Sequence, residues 1–130
     1  MIATALTAAV LMTGSATGYS SCDGSTTQTA SGKTVRVGYV ANNSLPFGTW
    51  IEMRKPRTVM GRRWFQVQDR GGAGFLVDFW SPSCAWMNSW GRRQITIRVV
   101  PRSEIYRGKP YKGWYLKRGA RGAKLVWQPK

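Results

Sequence analysis

Two aspartates, Asp69 and Asp78, are the residues of this chain best suited to moving a proton. The sequence has no His and only two Cys, which removes Ser/His/Asp and Cys/His nucleophilic systems and leaves too few soft ligands for a zinc site. Any catalysis therefore falls to carboxylates, and no cofactor or metal is expected. Asp78 lies in Phe75–Trp80 (FLVDFW), a run that is otherwise apolar, where an aspartate is costly to bury without partners. Desolvation there would favour the protonated form, and a second carboxylate nearby would favour it further by like-charge repulsion. Asp78 is accordingly the candidate acid/base and Asp69 its partner. The opposing reading is structural. The cationic field of the chain favours ionised carboxylates, Asp69 could cap a glycine turn by accepting backbone N–H groups, and Asp78 could pair with Arg92 or Arg93.

Short strands must position these two residues. Thr34–Val40 (TVRVGYV) alternates β-branched with other residues, Leu45–Thr49 turns the chain, and Trp50–Met53 resumes an extended pattern. The basic segment Arg54–Arg63, with Pro56 and Gly61, reads as a hairpin tip leading into Trp64–Asp69. Gly71, Gly72 and Gly74 follow, which places Asp69 at a strand end over a tight turn. Pro82–Trp90 predicts a short helix stopped by Gly91, and Gln94–Val100 (QITIRVV) is the clearest strand, ended by Pro101. No long 3.6-residue periodicity occurs, so the expected fold is all-β, a small barrel with one short helix.

At 130 residues the chain has room for one core, and its 42% hydrophobic and 19% charged content is that of a globular domain. Twenty Lys+Arg against five Asp+Glu give a net charge of +15, which calls for an anionic partner: nucleic acid, acidic lipid or a phosphate- and carboxylate-bearing wall polymer. About half of that excess falls in residues 101–130, where basic residues alternate with Tyr106, Tyr111, Trp114, Tyr115 and Trp127. Gly113–Leu116 and Ala123–Trp127 there predict a terminal hairpin. Met1–Met12 (MIATALTAAVLM) is too short to span a bilayer as a helix, and Gly14-Ser15-Ala16 supplies small residues of the kind signal peptidase selects. Residues 1–15 therefore read as an export signal, although a basic leader is missing and a buried element of the domain is the alternative. Export in turn favours a disulfide between Cys22 and Cys84, an expectation resting on compartment and not on spacing.

Three segments, taken in order, carry a resemblance: Ala16-Thr17-Gly18-Tyr19 with Thr29-Ala30-Ser31-Gly32, then Leu45-Pro46-Phe47-Gly48-Thr49, then Gln68-Asp69-Arg70-Gly71-Gly72 with Val77-Asp78-Phe79. They resemble the double-psi β-barrels of the three-aspartate (3D) domain family and of rare lipoprotein A, and Trp90–Ile97 is similar to the closing turn and last strand of those barrels. The resemblance covers residues 16–100 and leaves 101–130 as a basic, aromatic extension. It implies a six-stranded double-psi barrel, secreted or held in the cell envelope, acting on peptidoglycan glycan strands either as a lytic transglycosylase or as an expansin-like binding module. Asp69 and Asp78 match two aspartates of the three-aspartate pattern; the first falls in Ala41-Asn42-Asn43, which has no carboxylate, and Asn42 stands where rare lipoprotein A has a His. Asn42 and Arg70, with Trp80, Trp86 and Trp90 as sugar-stacking platforms, are the expected ligand-facing residues; the alternative is that most of the seven Trp fill the core. A monomer without a stable membrane span is expected, with anionic wall polymer as the partner of the basic extension. Nucleic-acid binding is the runner-up, but no motif for it is present.

Overall fold

Alternating burial along short strands builds the interior. The computed structural model describes residues 11–23, 27–100, 113–119 and 122–128. Its strands are β1 (Leu11–Tyr19), β2 (Tyr39–Ala41), β3 (Trp50–Lys55), β4 (Trp64–Asp69), β5 (Val77–Trp80) and β6 (Arg93–Val99), with one helix, α1 (Cys84–Trp90), between the last two. They form a six-stranded mixed sheet that closes into a ring in the order β1-β5-β2-β4-β3-β6. The β1/β5 and β2/β4 contacts are parallel, and the other four are antiparallel. The protein is thus mainly β, as its short alternating runs predict.

Ile51 and Met53 of β3, Phe65 and Val67 of β4, Val77 and Phe79 of β5, and Ile95 and Ile97 of β6 all point inward and are buried. Phe79 sits at the centre, edge-on to Phe65 at 5.0 Å and to Trp90 at 5.8 Å. On the opposite face of β3, Glu52 lies in register with Arg98 of β6. Its Oε1 accepts from Arg98 Nε at 2.8 Å and its Oε2 meets Arg63 Nε at 2.9 Å, so both oxygens are taken by guanidinium groups.

β1 is long because it serves two neighbours. Leu11–Ala16 pairs with β6 and Ala16–Tyr19 with β5. This corrects the boundary drawn from sequence: residues 11–15, assigned there to the signal-like segment, are part of the barrel, because the edge of β6 needs a partner to close the ring. Residues 1–10 and 101–112, which carry the rest of that segment and much of the basic extension, lie outside the described residues. The predicted terminal hairpin is present as β7 (Gly113–Gly119) and β8 (Gly122–Gln128), an antiparallel pair whose backbone register matches Trp114 with Trp127. Among the described residues no helix is long and apolar enough to cross a membrane.

α1 packs across β1. Ser83 caps it by accepting from Trp86 N at 3.1 Å, and Gly91, at φ 63°, ends it as the sequence predicts. Gly18 permits the contact, because a Cβ there would come within 2.9 Å of Trp86 Cζ3. A disulfide from Cys22, in the 3₁₀ turn Ser21–Asp23 after β1, to Cys84 at the start of α1 ties the same two elements together, with Cα atoms 6.2 Å apart.

Candidate functional site

The strand period explains how an aspartate occupies the apolar run around Asp78. Val77 and Phe79 are fully buried and face the core, so Asp78 between them projects from the other side of β5, where it is half-buried. Thr17 of β1 lies in register with it and donates Oγ1–H to Asp78 Oδ1 at 2.9 Å. On the other flank, Ala41 of β2 is the register partner of Asp78.

Asp69 reaches the same face by an irregularity. Val40 pairs with Val67 and the next residue, Ala41, pairs with Asp69, so Gln68 is an extra residue in β4. Without that bulge, Asp69 would follow Val67 into the core; with it, Asp69 shares the face of Ala41. The result is a row across four neighbouring strands, Thr17, Asp78, Ala41 and Asp69. Two interstrand steps separate the aspartate Cα atoms, about 10 Å, and Ala41, itself buried, is the register partner of both.

The two carboxylates live in different surroundings. Asp69 is buried and is met by three donors: Tyr19 Oη–H to Oδ2 at 2.8 Å, Ala30 N–H to Oδ1 at 2.7 Å and Arg70 N–H to Oδ1 at 2.9 Å. The loop bearing Ala30 is held in place by Ser31 N–H and Oγ–H, which donate to Gln68 O at 3.2 Å and Gln68 Oε1 at 2.7 Å. Tyr19 is a functional candidate the sequence reading does not single out. Its phenol is pushed above the ordinary tyrosine range, first by burial, then by its hydrogen bond to Asp69, then by the negative charges of Asp69 and Asp78. It therefore acts as a hydroxyl donor that joins β1 to β4 beside both carboxylates. The signal for it was parity with Thr17, two residues earlier in the same strand.

The structure distributes the other expected site residues differently. Asn42 is buried; its Nδ2–H donates to Leu76 O at 2.9 Å while its Oδ1 accepts from Ser44 N at 2.9 Å and Leu45 N at 2.7 Å. It braces the turn after β2 and offers nothing to a ligand. Arg70 donates to Asn42 O at 2.7 Å and lies over the Phe47 ring at 4.0 Å, clamping the same turn. Trp80 and Trp90 are 8% exposed, and Trp90 Nε1–H donates to Ala16 O at 3.3 Å, so these two indoles are core residues and not sugar platforms. Trp86 is half-buried and stacks on Trp90 at 5.3 Å, keeping one accessible part. Arg92 and Arg93 bond main-chain carbonyls, Gly74 O for the first and Trp90 O and Ser89 O for the second.

A carboxylic acid on this face can give a proton to a bound oxygen and take one back, provided solvent and ligand reach it. Among Glu52, Asp69 and Asp78 that condition is met by Asp78. Comparison of the chain with protein-family models and with curated proteins finds no match.

Proposed function

We propose that this protein acts on bacterial cell-wall glycan, cleaving it in the manner of a lytic transglycosylase with Asp78 as the single acid/base. The carrying observation is that Asp78 keeps accessible surface at the middle of the Thr17–Asp78–Ala41–Asp69 row while Glu52 and Asp69 are buried. Protonated Asp78 would give its proton to the glycosidic oxygen as the bond to the anomeric carbon breaks. The resulting carboxylate would then take the proton of the sugar's own 6-hydroxyl as that oxygen closes the anhydro ring, so no water nucleophile is required. Thr17 orients the carboxylate, and Asp69 with Tyr19 shapes the floor next to it. The closed ring of six strands with two parallel contacts supports the double-psi barrel resemblance, and the Cys22–Cys84 bond suits an exported protein.

One observation favours a second reading, non-catalytic wall binding. Asp69 receives three hydrogen bonds from the chain itself, a structural assignment that leaves the carboxylate pair with one working member. Digestion of purified sacculi followed by mass spectrometry separates the two. Soluble fragments with anhydro ends support cleavage; retention of the protein on sacculi with no soluble fragment supports binding alone.

A further inference from the structure

A cleft of about 250 Å³ opens elsewhere on the barrel, lined by Arg36, Val37, Gly38, Tyr39, Trp50 and Arg62. We propose that it is a phosphate-binding site for an anionic polyol-phosphate polymer of the cell wall. Both arginines are exposed, and among the described residues neither guanidinium is in an ion pair. Each is nevertheless held in place by packing. Arg36 lies over the Tyr39 ring with its guanidinium carbon 4.8 Å from the centroid, and Arg62 lies 5.9 Å from the Phe65 centroid. The Arg62 guanidinium also lies against Gly38, whose φ of +108° reserves this position in the cleft for glycine. Two guanidinium forks lining one cleft beside a glycine suit the tetrahedral oxygens of a phosphate, because charge-assisted bonds from a planar fork are short and directional.

The walls favour one kind of phosphate carrier. Arg36 already covers Tyr39, which leaves the half-buried Trp50 as the remaining ring, and a single ring is a poor platform for successive bases. A phosphodiester chain of polyol units needs no such platform. The site shares a strand face with the carboxylate row: Tyr39 and Ala41 are two residues apart on β2, about 7 Å along one side of the sheet. Choosing a wall polymer rests on the wall reading above, whereas the affinity for phosphate does not.

The test is titration calorimetry of the full chain with a synthetic glycerol phosphate oligomer, and with an oligothymidylate of equal charge. The wild type should bind the glycerol phosphate oligomer, R36Q/R62Q should bind it at least about tenfold more weakly, and R54Q/R57Q, which removes the same charge from two exposed arginines outside the cleft, should change affinity less than threefold. Circular dichroism checks the fold of R36Q/R62Q, and R36Q alone carries the comparison if the double variant unfolds. Equal losses in the two double variants would reduce the site to net charge and overturn the proposal. Tighter binding of oligothymidylate with the same arginine dependence would also overturn it, in favour of a nucleic-acid site. Anhydro-end formation by the wild type on sacculi stripped of polyol phosphate is measured separately, so a failure here is distinguishable from a failure of the cleavage reading.

Discussion

Replacing Tyr19 with Phe tests the physical core of the site. The change removes one hydroxyl and keeps the ring, so packing is nearly unchanged while Asp69 Oδ2 loses the donor it meets at 2.8 Å. A hydrogen bond to a charged acceptor contributes about 1.5–3 kcal/mol, and leaving a buried carboxylate short of a donor falls in the same range. With a domain of this size, 2 kcal/mol corresponds to about 8–16 °C in the unfolding midpoint. The pH dependence has a definite sign. Folding raises the Tyr19 phenol above its unfolded value, so its contribution is fully present below about pH 10 and declines as pH rises beyond that. Y19F lacks this group, so the gap between wild type and variant should narrow above pH 10, by at most about 1.4 kcal/mol per pH unit and by less where solvent reaches the ring. Urea unfolding at pH 7, 9, 10.5 and 11 reads both effects. A gap below about 0.3 kcal/mol at pH 7, or one that widens with alkali, would refute the claim that Tyr19 and Asp69 are coupled through this bond.

Reduction of Cys22–Cys84, or the C22A/C84A change, should lower stability by about 4 kcal/mol in the chain-entropy view of a bridge closing 62 residues, measured by urea unfolding with and without dithiothreitol. An unchanged midpoint would show that the bridge does not constrain the unfolded chain. Glu52→Gln should cost about 3–5 kcal/mol, because Arg98 is 8% exposed and would keep a buried charge facing a neutral amide. The loss should exceed that from Arg63→Gln, whose side chain is 48% exposed, in the same denaturation assay.

Local patterns made much of the fold readable. The Ile95, Ile97, Val99 alternation of β6, the Gly91 end of α1 and the Gly113–Trp127 hairpin each follow from spacing alone. β1 was not readable, because Leu11–Tyr19 is rich in small residues of weak strand preference and becomes a strand by lying between β5 and β6. The site was half legible. Asp78 stood out as a charge in an apolar run, but the face of Asp69 depends on one extra residue, Gln68, against a strand that arrives from elsewhere in the chain. The Glu52–Arg98 pairing likewise exists only through the β3/β6 register. Composition misled for the indoles, since an apolar ring with one N–H serves a core as well as a sugar, and Trp80 and Trp90 went to the core.

The most direct test of the account is the initial rate at which Asp78→Asn forms anhydro-ended fragments from sacculi, with binding to the same sacculi measured in parallel. An amide keeps the shape and the place beside Thr17 but cannot shuttle the proton, so the rate should drop by about 100-fold or more while binding persists. Wild-type rates in the variant would contradict the assignment of Asp78 as the acid/base.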